Sequence, residues 1–253
     1  MYTFCLFVLH VFNNNGVNNK KERLFSQYTS RHERSDMDNH LLFSSDSLNI
    51  FKNSARVIVS GFSYSGKSVF ISNLIRKYVT DFDRILIFGV KDHPLLKEPE
   101  FAGKITLNGN LEDDIDDNEG RASTSLLIYD DMSLEVLDSP TIANVFTKGR
   151  HAGYSVIIVL HNLFQKSKFG RIINLNTSHY CLFRQRDLNQ VEILARQIFG
   201  SGKSKKFISL YEKCVLQKQF GYLVIDLSVT TPDKIRIRSN VANEEEFEVV
   251  YEF

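Results

Sequence analysis

Between Ala55 and Asn162 the chain alternates short, unbroken apolar runs with stretches whose apolar residues recur every three or four positions. The runs are ARVIVSG (55–61), RILIFGV (84–90), SLLIYDD (125–131) and YSVIIVLHN (154–162). Their lack of polar alternation predicts strands buried on both faces. HYCLFR (179–184) predicts a fifth. KSVFISNLIRKYV (67–79) brings Val69, Phe70, Asn73, Leu74 and Lys77 to helical spacing without a proline. SPTIANVFTKGR (139–150) opens on a serine cap and a first-turn proline, a helix start. RDLNQVEILARQIFG (186–200) predicts a helix stopped by Gly200, and SKKFISLYEKCVLQ (204–217) another. NGNLEDDIDDNEGR (108–121) reads as an acidic polar loop, and GYLVIDLS and KIRIRS as late antiparallel edge strands. Strands alternating with helices imply an α/β fold, a mostly parallel central sheet covered on both faces. One domain is expected over 46–253.

The segment before it has a different pattern. MYTFCLFVLHVF is apolar but too short to span a bilayer, and it lacks the basic start and small-residue cleavage site of a secretory signal. NNNGVNNKKER then reads as a polar, flexible tract. Residues 1–45 are expected to be a disordered tail or an upstream extension of the gene model, with no membrane role. Composition adds little: 43% hydrophobic residues suffice for an ordinary core, and a net charge of +1 excludes a global field of the kind that marks a nucleic-acid binder. Cys5, Cys181 and Cys214 are too few and too far apart for a zinc site or a disulfide framework.

Chemistry enters at GFSYSGKS, residues 61–68, which fits G-x-x-x-x-G-K-[ST] between a predicted strand and a predicted helix. In that context successive backbone N–H groups wrap a phosphate, and the helix adds its positive end. The candidate nucleotide-binding set is Gly61, Phe62, Ser63, Tyr64, Ser65, Gly66, Lys67, Ser68 and Val69. Lys67 would reach the β- and γ-phosphates of ATP, and the Ser68 hydroxyl would hold Mg²⁺. This makes the fold class a P-loop NTPase three-layer sandwich. A second stretch, GSGKS (200–204), has Gln197 where the leading glycine belongs and follows a helix, so a helix cap and a linker explain it.

Hydrolysis also needs carboxylates. SLLIYDD ends on Asp130, expected at the metal, and Asp131, expected to polarise water. His161, at the end of IIVLHN, is a candidate γ-phosphate sensor, with a polar residue leaving the core as the plain alternative. Arg150, in KGRHAG, is a candidate for stabilising transition-state charge, often in a neighbouring subunit's site; a surface loop arginine is its plain alternative.

Five segments carry a resemblance: VIVSGFSYSGKS, LLIYDDM, FTKGRHAGYSVIIVLHNLF, LFRQRDLNQVEILARQIFG and GYLVIDLSVTTPDKIRIRSN. In that order, over about residues 50–240, the chain resembles the FtsK/HerA-type packaging ATPases of Polinton/Maverick elements, virophages and large DNA viruses, with the poxvirus packaging ATPase more distant. The resemblance implies an ATP-driven ring of identical subunits that moves double-stranded DNA into a capsid. It implies capsid proteins as partners and a soluble, intracellular place of work, the nucleus or a viral assembly site. By motif, Lys67 and Ser68 are the Walker A pair, Asp130 and Asp131 the Walker B pair, and Arg150 falls in the inter-subunit or sensing segment. One departure stands out: the family usually carries glutamine where this chain has His161.

Two other functions stay open on the sequence: a catalytically impaired nucleotide-binding remnant acting as a scaffold, and a small-molecule phosphotransferase. No lid or acceptor motif supports the latter. DNA contacts are not assigned. Lys203, Lys205 and Lys206, and Lys166, Lys168 and Arg171, are basic groups that a solvated charged face explains equally.

Overall fold

The computed structural model describes residues 40–43, 49–51, 54–101, 103–108, 124–242 and 248–252. Each apolar run becomes a strand: β2 (Arg56–Ser60), β3 (Arg84–Phe88), β5 (Ser125–Tyr129), β6 (Tyr154–Leu160) and β7 (His179–Leu182). With β4 (Ile105–Asn108) they form a parallel block in the order β7-β2-β6-β5-β3-β4. Beyond β7 the sheet continues antiparallel through β8 (Leu223–Asp226), β9 (Ile237–Ser239), β10 (Glu248–Tyr251) and β1 (His40–Phe43), ten strands among the described residues.

Alternation along each strand splits its side chains between two cores. Val57 and Val59 of β2 join Phe70, Ile71, Leu74 and Ile75 of α1 (Lys67–Tyr78) on one face. Ile58 of the same strand joins the other face with Phe146, Ile173, Leu194 and Phe207. That second face is covered by α2 (Ser133–Asp138), α3 (Pro140–Lys148), α4 (Gly170–Asn176) and α5 (Leu188–Tyr211). The result is a three-layer sandwich. The cap expected on α3 is present: the Ser139 hydroxyl accepts from Ile142 N at 3.2 Å.

The two helices expected on either side of Gly200 are the halves of α5, bent where Gly200 takes φ 76 and ψ 169. The expected linker is shorter than 200–204, because the chain is helical again from Ser201 and the second GKS lies within a turn of helix. After Tyr211 the coil widens into a π-turn over Glu212–Leu216 rather than staying α-helical to residue 217.

Three strands differ from expectation. β4 and β10 are absent from the sequence reading, and β1 uses residues 40–43, which the reading put in the tail. HLLF is too short to register as an element, and its partner in the sheet lies about two hundred residues on, with His40 opposite Tyr251. The rest of the expected tail, residues 1–39, and residues 109–121 of the acidic loop lie outside the described residues.

A row of buried charges stitches the antiparallel block together. Arg238 of β9, 1% exposed, donates to Asp226 of β8 and to Glu248 of β10, both at 2.9 Å. His179 Nε2 of β7 lies 3.2 Å from the other oxygen of Asp226. Cys181 and Cys214 are free and buried, and burial pushes the Cys181 thiol up to about 12. No helix among the described residues is long and apolar enough to cross a membrane.

Candidate nucleotide-binding site

In a parallel sheet, loops at the carboxyl ends of strands meet at one edge. Here β2, β6 and β5 are neighbours, so their exits converge. Gly61 N donates to Leu160 O at 3.1 Å, which ties the exit of β2 to that of β6. Phe62 N donates to Arg184 O at 3.1 Å, which ties the same loop to the exit of β7. The loop then turns through Tyr64, at φ 63, and Gly66, at φ 101, into α1. Gly61 leaves no room for a side chain, since a Cβ there would come within 2.5 Å of Phe183 Cβ and 2.8 Å of Ser65 Oγ.

Lys67 is the first residue of α1 and only 8% exposed. Its ammonium donates to the carbonyls of Gly61 at 2.7 Å and Phe62 at 3.0 Å, so it lies within the loop. Burial lowers its proton affinity, while Asp130 and Asp131 act against that shift. Asp130, at the end of β5, is the reciprocal case: burial raises its carboxyl and the charge of Lys67 opposes the rise. The two charges thus act on one another, and burial works against both. Ser68, Ser63 and Val69 are exposed at the mouth.

Asp131 is exposed and holds a left-handed backbone, φ 58, which an aspartate tolerates better than most residues. The turn also depends on Gly89 at the end of β3. Its φ is 86, and a Cβ there would fall 1.9 Å from Asp130 O. His161 leaves β6 on the same side, with Nε2 3.5 Å from Asp131 Oδ1.

Arg150 is not part of this cluster. It lies in the turn Gly149–Ala152 that leads into β6, at the edge where the parallel strands begin. Its charge acts on Arg56, the first residue of β2, and its Nε is 3.4 Å from His151 Nε2. Five residues of β2 separate that edge from the loop, roughly 17 Å at about 3.3 Å per residue. The lysines and arginine at 166, 168, 171, 203, 205 and 206 are all exposed.

Three residues here escaped the sequence reading. His93 follows β3 and is 7% exposed; burial lowers its proton affinity and the charge of Asp130 counters that. Gln185, 5% exposed, accepts from Ser60 Oγ at 3.3 Å and so braces the base of the loop. Arg184 supplies the carbonyl to Phe62. The signal was available in part, because RQRD directly follows a buried strand and HYCLFR ends where ligands gather.

The residues fit Mg²⁺ bound through a nucleotide. Such an ion needs one or two protein oxygens beside the phosphates, which Ser68 and Asp130 would provide; no group of three or more His, Cys, Asp or Glu suited to a metal exists among the described residues.

A family model described as Poxvirus A32 protein matches residues 41–252. The DNA packaging protein OPG160 of Variola virus is 22% identical over 223 residues, covering 79% of each chain. Its counterpart in Vaccinia virus (strain Copenhagen) matches equally over the same length. Among solved structures, the genome packaging NTPase B204 from Sulfolobus turreted icosahedral virus 2 in complex with AMP has a TM-score of 0.52 at 17% identity, covering 74% of this chain and 97% of that one. The same protein in complex with ATP-gammaS gives 0.50 at 18%, with the same coverage. These likenesses show the fold, the P-loop sandwich expected from the sequence. With a match that runs from β1 through the loop, both aspartates and the late antiparallel strands, the chain belongs to the Poxvirus A32 protein family.

Proposed function

We propose that this chain is a Mg²⁺-dependent ATPase that drives double-stranded DNA into a viral or virus-like capsid, working as a ring of identical subunits at a viral assembly site or in the nucleus of a host cell. The observation that carries the reading is the loop of residues 61–68 between β2 and α1, with the buried Lys67 ammonium held inside it, and Asp130, Asp131 and His161 at the exits of the neighbouring strands. Family membership supports the motor reading, since curated relatives are named DNA packaging proteins. The fold neighbour B204 is described as a genome packaging NTPase with AMP or ATP-gammaS bound.

In this reading the loop amides and Lys67 hold the β- and γ-phosphates, while Ser68 and Asp130 hold Mg²⁺. Mg²⁺ held there would supply positive charge against the negative charge that develops on the phosphates. Asp131 accepts a proton from the attacking water. Arg150 serves the next subunit, because its own site lies a strand length away. The catalytic unit is the domain that begins at β1. The test is ATP turnover with and without duplex DNA: stimulation by DNA supports the motor, and DNA-independent turnover by a monomer overturns it.

One observation favours a second reading, the impaired remnant. His161 lies against Asp131 and would engage the group that must polarise water. ATP binding without turnover, rescued by His161→Gln, is the result that reading requires.

A further inference from the structure

The loop at 61–68 accounts for the phosphates of a nucleotide and leaves its base unplaced. Next to the loop, on the α1 side of the sheet, lies a cavity of about 630 Å³. Gly66, Val69 and Phe70 line it from the start of α1, Phe183 from the end of β7, and Phe220 and Tyr222 from the approach to β8. Its floor is aromatic. Phe70 meets Phe183 at 5.5 Å and Tyr222 at 4.8 Å between ring centroids, and Phe183 meets Tyr222 at 5.2 Å.

Phe220 stands apart from the other rings. It is 60% exposed and holds a left-handed backbone at φ 56. It packs on the loop itself, since a Cβ placed on Gly66 would lie 3.2 Å from Phe220 Cβ and 3.3 Å from Cδ1. A large apolar side chain kept in solvent on a disfavoured backbone points to a role outside the core.

Three polar side chains around the cavity have protein partners, while Lys218, Gln219 and Asn240 also line it. Asn73 Oδ1 accepts from Arg76 at 3.0 Å, Tyr222 OH accepts from Ala242 N at 3.0 Å, and Ser239 Oγ shares a hydrogen bond with Tyr251 OH at 2.9 Å. Beside these groups the cavity offers a ligand the rings of Phe70, Phe183, Phe220 and Tyr222. Every nucleobase has a ring face of its own, and stacking on aromatics discriminates weakly between bases.

We infer that this cavity seats the base of a nucleoside triphosphate, that Phe220 clamps the base where it leaves the phosphate loop, and that the pocket grips ring faces without reading base edges, so that adenine and guanine nucleotides bind alike. The inference rests on the phosphate-binding reading of residues 61–68. Its size falls in the range of pockets that bury small ligands.

The test measures binding of ATP, GTP and inorganic tripolyphosphate to the full chain by titration calorimetry. Phe220→Gly suits the left-handed backbone and removes only the ring. It should weaken ATP and GTP about tenfold each, the scale of one lost base–aromatic stack, and leave tripolyphosphate unchanged. Phe220→Trp should keep both nucleotides within about twofold of the unmodified chain. The unmodified chain should bind ATP and GTP within about threefold of one another. If Phe220→Gly left ATP binding intact, or weakened tripolyphosphate equally, the inference would be overturned while the phosphate loop stood. A preference for one purine above about thirtyfold would overturn the absence of edge readout. An unmodified chain that bound neither ATP nor tripolyphosphate would overturn the loop reading and this inference with it.

Discussion

Lys67 carries a full charge in a place where charge is poorly solvated, held by two carbonyls of its own loop and by the field of two aspartates. In the proposed reading, removing the ammonium takes away the cation set against the phosphates. Lys67→Ala is therefore expected to abolish ATP turnover, whereas Lys203→Ala, in an exposed helical turn on α5, should leave nucleotide affinity nearly unchanged. Asp131→Asn should keep Mg·ATP binding and lose most hydrolysis, by a factor of about 10²–10⁴, because an amide cannot take up the proton; single-turnover kinetics with a binding control separates the two effects. The positions of the loop and of both aspartates were legible because each directly follows a continuous apolar strand, β2 for the loop and β5 for the aspartates. His93 and Gln185 were not, because each acts across the sheet. Gln185 reaches Ser60 only after β7 has paired with β2.

At the scale of elements, the parallel strands were legible from continuous apolar runs, and α3 from its serine and proline. β1, β4 and β10 were not, since the place of each is set by a partner in the sheet rather than by its own pattern. What fixes the antiparallel block is the row of charges from His179 to Glu248. Arg238 lies between two carboxylates with almost no solvent, so Arg238→Ala would leave both without their shared cation. A loss of about 3–5 kcal/mol is expected by denaturant unfolding, the scale for breaking a buried ion pair. Asp226 gives this row a pH signature. Burial pushes its carboxyl up, but His179 and Ser228 more than offset that and hold it well below the ordinary range. A depressed carboxylate contributes stability above its unfolded value, about 3.8, and that contribution is lost as pH falls through the lower folded value. On acidification below about pH 4, the melting temperature of the unmodified chain should therefore fall more steeply than that of Asp226→Asn.

At the scale of the whole molecule, Arg150 and the phosphate loop occupy opposite edges of one sheet. A ring brings such edges together from different subunits. Arg150→Ala is expected to lose turnover while sparing ATP binding, and turnover per chain should rise with protein concentration. Mixing Arg150→Ala with Asp131→Asn chains should restore part of the activity, since an intact Asp131 site on one chain can then meet an intact Arg150 on the next. Activity that is independent of concentration, with Arg150 dispensable, would remove the trans role. DNA affinity should fall steeply with salt as phosphate contacts release counterions.

The pairing of His40 with Tyr251 places the first and last strands side by side at one edge of the sheet. Neighbouring strands are only about 5 Å apart, so a peptide of a few residues could join residue 252 to residue 40. The chain could then be circularly permuted, with new ends opened at an exposed position such as Val229, 97% exposed in the turn after β8. Strand order, both cores and the phosphate loop would be untouched. The order in which the ribosome delivers the strands would change, so the permuted chain would separate what the finished sheet requires from what its synthesis requires.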